Sequence, residues 1–456
     1  MGKVLIIVPH EDDEINIAGG IIYSLKNHDE AYIVFVTNGD YICKAKYRYK
    51  EAIKSLKKLK IKKENIIFLG YGDQPYDQKE HMYNSAENWV SKSGHMETYG
   101  AAGIKEWNYM KYGKHCLYNK KNLVRNIKEI ILDIKPKEII CVDLDFHPDH
   151  IMTSLCFEKA MGEILKENVN YKPEVLKSFA YENSYIGEND FFKEATNISK
   201  VATENDGTLK SNPYYNIKDG IRINVKEKCY SYNLISNPVY KAIRCHVSQL
   251  LVKHTESIIN KDYLYWKRNT NNLLNTAKIN VTSSEKEYLR DFLIADSNNI
   301  LNGNKLPILF SEKIWIPEQN DKDKKIDITF DEEKWVNCIR LYNGRINRKY
   351  IKSIALSIDD NEKVIALDPI YINELKINRK VNKINIKVLD EVCHNGFSEI
   401  EILENKEETQ IYDYIENDKK EKIKFDILKR ANIYFDKYYL KIIIFLTRVQ
   451  RKLFRR

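Results

Sequence analysis

Proline and glycine are sparse in this sequence, 10 and 17 of 456 residues. That scarcity excludes a collagenous chain and argues against a Pro/Gly-rich disordered one. No apolar run approaches the roughly 20 residues that a membrane-spanning helix needs. The eight cysteines (Cys43, Cys116, Cys141, Cys156, Cys229, Cys245, Cys338, Cys393) are scattered, and no two share a CxxC or metal-knuckle spacing. They read as reduced, mostly buried thiols rather than a disulfide framework or a thiolate metal site. The N-terminus enters an apolar strand at once, without the basic, apolar and small-residue segments of a secretory leader. A reducing cytoplasm is the expected setting.

What is present is globular. Hydrophobic residues make up 43% and charged residues 30%, with 31 tyrosines, and the length is too great for one ordinary core, so at least two folding units are expected. The formal net charge of +9 first suggests nucleic acid. Yet from Lys429 to Arg456 there are nine Lys/Arg against one acid, Asp436, which leaves a net of +1 for everything before. A nearly neutral body gives no reason to expect a phosphate-tracking surface, and no nucleic-acid partner is expected.

Along the chain, Lys3 to Val8, Ala31 to Thr37, Asn65 to Leu69 and Glu138 to Val142 are apolar on both faces, as in a parallel sheet covered on both sides. Between them, Tyr49 to Leu59 and Lys121 to Ile134 carry apolar stripes at helical spacing. Strand, helix and strand in this order predict a Rossmann-like, doubly wound, mainly parallel α/β sheet, with ligands beyond the carboxyl ends of its strands. Tyr71 to Tyr118 breaks the pattern with a long polar and aromatic stretch, of a length usual for lids or binding loops. Its His81, His95 and His115 are expected to be solvated loop residues. From Ile279 to Ile402 short β-rich pieces (KIDITF, VNCIRLY, IKSIALSID, NKINIKVL, FSEIEIL) alternate with turns, which predicts an all-β sandwich. Lys406 to Lys424 reads as a charged connector.

Two clusters carry chemistry. The first strand runs into His10-Glu11-Asp12-Asp13-Glu14, followed by residues suited to a helix. One imidazole beside several carboxylates at a strand end is costly unless a cation is present. His10 and Asp13, three apart across a turn, can reach one ion, and Asp12 stays free to take a proton. The second cluster, Asp145-Phe146-His147-Pro148-Asp149-His150, follows the strand at Glu138 and precedes a helix from about Ile151 to Leu165. Its two histidines can supply a third ligand and a spare imidazole. Three N/O ligands with an open fourth position describe a catalytic zinc site. Taken singly, either cluster also suits a helix start with acids favoured by the dipole, or a loop with capping roles.

With both in place, the sequence resembles the LmbE/PIG-L-type superfamily of zinc-dependent de-N-acetylases over about residues 1 to 270. Its His-Pro-Asp-Asp-Glu run stands here as His10 to Glu14, with Glu11 in place of proline, and its His-Pro-Asp-His as His147 to His150. Further matches are Thr37 to Asp40, the Arg48/Glu51/Ala52 helix, the Gly70 to Asp73 turn, and Lys241 to Gln249. The resemblance implies zinc on His10, Asp13 and His150, Asp12 as general base, and His147 stabilising the oxyanion or protonating the leaving amine. Asp149 and Glu14 are expected to support these groups. Arg48 and His246 are candidates for binding substrate; the competing readings are an exposed helix arginine paired with a carboxylate and a satisfied core histidine. Glu11 lacks the preset φ of proline, which removes one source of turn rigidity. A His2Asp site also accepts Fe(II), Co(II) or Mn(II).

Residues from about Ser283 to Ile402 resemble a galactose-binding-like, discoidin-type domain, on Ser283-Ser284, Trp315, Asn337 to Tyr342 and Gly396 to Ile402; this implies a jelly-roll sandwich. The expected organisation is a deacetylase domain at 1–270, the β-sandwich at 279–404 and a basic amphipathic C-terminal helix at 425–456. That helix, with Tyr438, Tyr439 and Ile442 to Leu446 beside Arg448, Arg451, Lys452, Arg455 and Arg456, suits either a membrane interface, peripheral at the inner face, or the protein's own surface. The expected reaction is hydrolysis of the N-acetyl group of an N-acetylated sugar in a glycan or glycolipid, giving a free amine and acetate. Its rivals are a phosphoesterase using the same cluster, which would call for two metals, and a catalytically silent glycan-binding protein.

Overall fold

The computed structural model describes residues 2–74, 81–83, 85, 89–181, 209, 215–294, 314–344, 350–405, 411–415 and 427–454, with side chains left out at 427–434 and 453–454. The apolar runs form β1 (Val4–Val8), β2 (Ala31–Thr37), β3 (Ile66–Tyr71) and β4 (Glu138–Val142), all parallel to their neighbours. β5 (Glu174–Ser178) extends them in parallel, while β6 (Ile221–Asn224) and β7 (Asp262–Arg268) add two antiparallel strands. The strand order is β3-β2-β1-β4-β5-β7-β6. From β1 the chain winds outward one way through β2 and β3, then returns to β4 on the other side of β1. The switch point therefore lies between β1 and β4, where the carboxyl ends of two neighbouring strands leave a crevice.

Helices fill the crossovers: α1 (Asp13–Ser24), α2 (Ala45–Lys58), α3 (Trp107–Tyr112), α4 (Lys120–Ile134) and α5 (Pro148–Glu167). In α4 the buried Leu123, Val124, Ile127, Ile130, Ile131 and Ile134 make the stripe that seats on the sheet. Two short helices, α6 (Pro238–Ile243) and α7 (Thr255–Ile258), precede β7, and α8 (Ile427–Phe454) closes the described chain. β5 goes unforeseen in the sequence for a physical reason. Its Lys177 is fully buried, and the ammonium is met by Ser154 Oγ (2.6 Å), Glu158 (3.2 Å) and Asp143 (3.5 Å). A charge that finds its partners across the sheet cannot be told from a surface charge by local pattern.

The second layer system is antiparallel. β8 (Lys278–Val281), β9 (Lys325–Asn343), β10 (Tyr350–Ile358), β11 (Asn361–Ala366), β12 (Ile372–Val392) and β13 (Phe397–Leu403) form one sheet in the order β11-β10-β12-β9-β13, with β8 also on β9. The expected all-β unit is thus present. β9 and β12 run 19 and 21 residues, and register shifts break their pairing at Lys376/Arg379 and Val381/Lys383. A one-residue slip exchanges the two faces of a strand. In β9 the inward set passes from Ile326 and Ile328 to Ile339 and Leu341, so both halves serve one core around Trp315 and Phe397.

The two units meet closely. Arg268, at the end of β7, is buried and donates to the Phe292 carbonyl (2.8 Å), and Asn269 donates to Glu401 (2.8 Å). On α5, Gly162 lets the helix approach the 291–294 backbone: a Cβ there would stand 2.1 Å from the Asp291 carbonyl oxygen. Of the expected connector at 406–424, residues 411–415 are described and pack on the α/β core through Ile411, Tyr414 and Ile415; the rest, like Arg455 and Arg456, lies outside the described residues. Gly162→Ala is expected to lower stability by about 1–3 kcal/mol through overpacking. Urea denaturation of the full chain measures this, and an unchanged midpoint would mean that the junction yields without cost.

Candidate active site

The turn after β1 is fixed by its backbone. The His10 carbonyl accepts from the N–H groups of Asp12 (3.0 Å) and Asp13 (3.3 Å), and Thr37 holds the Pro9 carbonyl through its N–H and its hydroxyl. α1 then starts at Asp13, where acids favour the helix N-terminus. After β4, His147 caps α5, its Nδ1 accepting from the Asp149 N–H (3.2 Å), with Pro148 in the first turn, where a missing N–H costs nothing. Because β1 and β4 are adjacent, these two turns face one another across the switch point.

The geometry brings His10, Asp13 and His150 together. Asp13 Oδ2 lies 3.0 Å from His10 Nδ1 and 3.2 Å from His150 Nε2. The other nitrogen of each ring is held by carboxylates: His10 Nε2 by Asp73 and Asp149, both at 3.0 Å, and His150 Nδ1 by Asp145 at 2.6 Å. Carboxylates behind the ligating imidazoles are the usual support of a metal centre, fixing tautomer and ring orientation. His150 Nε2 is buried and makes no hydrogen bond. A buried nitrogen lone pair turned toward a carboxylate oxygen calls for a cation, and this N/O donor set fits a divalent metal. Among the described residues, two sets of donor atoms lie mutually within 4.8 Å, His10–His147–His150 and His10–Asp73–Asp149.

Titration follows the same electrostatics. Burial opposes an imidazolium at His10, but Asp73, Asp13 and Asp149 outweigh it and hold the pKa well above the ordinary 6.5. At His150 burial likewise opposes charge, and Asp145 and Asp13 raise the pKa to about 9. Protons here stand in for a metal cation. His147 behaves in the opposite way: burial, His10 and His150 push it well below 6.5, so it is neutral. Burial and Asp73 raise Asp149 to about 8.

Arg48 is a buried residue of α2, not an exposed one. Its Nη2 donates to Asp12 Oδ1 (2.9 Å) and its Nε to Glu11 Oε2 (3.2 Å). Glu11, which stands where the resembling family has proline, is therefore tied down by a guanidinium rather than by a ring. Gly39, with φ +56°, makes room for the pair: a Cβ there would stand 2.5 Å from both Arg48 Nε and Glu11 Oε2. A cavity of about 130 Å3 opens over the cluster, lined among others by His10, Asp12, Arg48, Asp73, His147 and Gln249.

Other expected positions fall elsewhere. Glu14 is buried in α1, 3.9 Å from His246, and burial with Asp12 and Asp13 raises its pKa well above the usual carboxylate range. His246 is buried and does not line the cavity; Gln249, three residues on, does. His81 is wholly buried rather than solvated, accepting from the Tyr83 N–H (3.0 Å) and lying 3.9 Å from Asp149. His95 is exposed against Tyr99, and His115 pairs with Glu106. Asp73, Asp145 and Tyr181, whose ring lines the cavity beside His147 and His150, were not foreseen. Asp73 ends the Gly70 to Asp73 turn and Asp145 opens the second cluster, so the strand-end rule pointed at both; Tyr181 follows the unforeseen β5.

Residues 5–161 match the family model described as "PIG-L: GlcNAc-PI de-N-acetylase". This PIG-L-type segment contains both turns, Arg48, Asp73 and all three clustered ligand candidates. Comparison with curated proteins gave no match. Among solved structures, similarity over the C-terminal part is to short modules. The family 32 CBM of Clostridium perfringens NanJ in complex with galactose is 10% identical, over 28% of this chain and 94% of that one, at a TM-score of 0.22. CpGH89CBM32-6 of Clostridium perfringens is 19% identical over 29% and 97% at 0.21, and the Streptococcus pneumoniae fucose binding module SpX-3 is 12% identical over 30% and 98% at 0.24.

Two outcomes are expected for the site. Arg48→Ala leaves the buried Asp12 carboxylate without its cation, and should cost about 3–5 kcal/mol in denaturant unfolding; a loss near zero would mean that Asp12 is hydrated. Burial lowers the His81 pKa from 6.5 to about 3. Below pH 6.5 the unfolded chain takes a proton that the folded one refuses, so this group's stabilisation is complete above pH 6.5 and falls as pH drops towards 3. His81→Gln should flatten that part of a plot of Tm against pH, and an unaltered slope would show that His81 titrates normally.

Proposed function

We propose that the chain hydrolyses the acetamido group of an N-acetylated sugar to the free amine and acetate, with zinc held by His10, Asp13 and His150. The observation that carries this reading is the convergence of His10 Nδ1, Asp13 Oδ2 and His150 Nε2 beside Asp12 and His147, within the PIG-L-type segment. A zinc ion bound there supplies Lewis acidity, polarising an amide carbonyl and acidifying water. The chain's own groups do the rest. Asp12, oriented by Arg48, takes a proton from the attacking water and returns it to the departing amine. His147 accepts at Nδ1 from the Asp149 N–H, which places its single proton on Nε2. A neutral imidazole of that tautomer is a hydrogen-bond donor to a developing oxyanion, and this favours the oxyanion role over protonation of the amine.

The cavity of about 130 Å3 is well below the several hundred Å3 typical of sites that enclose a whole ligand; it suits an acetamido group and the sugar edge that bears it. A groove of about 740 Å3 adjoins it, sharing Tyr41 and Ile42 and adding Tyr47, His95 and Tyr99. Its aromatic faces suit the remainder of a glycan or glycolipid.

Acetate release from a panel of N-acetylated sugars and glycolipids tests the proposal. Release should need one metal ion per chain, vanish on chelation and return with zinc. Asp12→Asn should lower kcat by about 10²–10⁴-fold. Metal-independent release, or an unaffected Asp12→Asn variant, would overturn the assignment, and two metals per chain with phosphoester turnover would replace it.

A further inference from the structure

α8 has a buried side and a bare one. Asp436 and Leu440 are buried, Tyr439, Ile443 and Ile444 pack on the α/β core, and the Tyr439 hydroxyl accepts from Arg244 (3.0 Å). These contacts seat the helix on α6 and the turn at Leu251–His254. Away from them, Phe435, Tyr438, Ile442, Phe445, Leu446 and Val449 are each more than half exposed. At 3.6 residues per turn these six fall within an arc of about 100°. A monomeric soluble protein rarely leaves such a continuous apolar stripe open to water.

Among the described residues of the helix, the same outward side carries cations and no anion. Lys437, Lys441, Arg448 and Lys452 are exposed along one flank of the apolar arc, within about 60° at that pitch. The helix's described acid, Asp436, is on the docked side, and Glu256 of α7 is the neighbouring carboxylate that faces Lys437 and Lys441. Among the described residues, no helix is long and apolar enough to cross a membrane. We propose that the outward side of α8 is a docking surface for an anionic lipid bilayer, its apolar arc entering the interface and its cations meeting the headgroups.

The spacing of Phe435, Tyr438, Ile442, Phe445 and Val449 is also that of a two-helix seam, which makes a second copy of the chain the competing occupant. Charge decides between them. An antiparallel helix pair would set Lys441 against Arg448 of the other copy, and among the described residues of α8 no acid lies on that flank to answer them, whereas an anionic surface complements both.

The test uses the full chain and vesicles of phosphatidylglycerol and phosphatidylcholine in equal amounts, against vesicles of phosphatidylcholine alone. The wild type should sediment with the anionic vesicles, less so as salt is raised. The double variants Ile442→Asp/Phe445→Asp and Lys441→Glu/Arg448→Glu should each weaken binding by about tenfold or more. Circular dichroism and Tm, expected to match the wild type because these side chains are exposed, confirm folding. Three results would overturn the proposal: no sedimentation of the wild type with anionic vesicles, equal binding by the charge-reversed variant, or a concentration-dependent dimer that Ile442→Asp/Phe445→Asp dissolves in a chain that ignores vesicles.

Discussion

Burying carboxylates is the constraint around which the α/β unit is built. Glu11, Asp12, Asp13, Glu14, Asp143, Asp145 and Asp149 are all buried at the carboxyl ends of β1 and β4, and an uncompensated charge there would cost several kcal/mol. Burial and acidic neighbours raise the pKa of Glu14 and Asp149, which favours their neutral forms, and the others are answered in particular ways. Arg48 takes Glu11 and Asp12, Lys177 takes Asp143 together with Glu158, and His150 takes Asp145. Where Asp13 meets His10 and His150, the answer is left to a proton or a metal, and that is the place where chemistry can enter.

The parts of this plan that rest on local pattern could be read from the chain. β1 to β4 are apolar on both faces, α4 has its stripe, and the runs at His10 and His147 sit where parallel strands end. The parts that rest on distant partners could not. Asp73 reaches His10 across 63 positions, and Lys177 is hidden by residues on β4 and α5. His81 looked like one more polar loop residue, yet its ring is enclosed and kept neutral by burial. Arg48 shows the same limit from the other side. The apolar stripe was read only from Tyr49 onward and the family resemblance put Arg48 on that helix, but only the fold turned it inward onto two carboxylates.

Glu11 illustrates how one turn can be made rigid by different means. Proline restricts φ before folding begins, so it shapes the unfolded chain as well as the native one. Here the turn is set by backbone hydrogen bonds from the His10 carbonyl and by an ion pair that forms only when α2 is in place. The ordering of the first cluster is thereby coupled to the seating of a helix some 37 residues on, and to a glycine whose missing side chain leaves room for the pair.

The junction between the two units bears on how the molecule would meet a large ligand. Arg268, Gly162 and Asn269 leave little slack between α5, β7 and the antiparallel sheet. The sheet is therefore not a tethered float that samples its surroundings but a rigid arm. Its distance and angle to the cavity are set by that packing rather than by the reach of a linker.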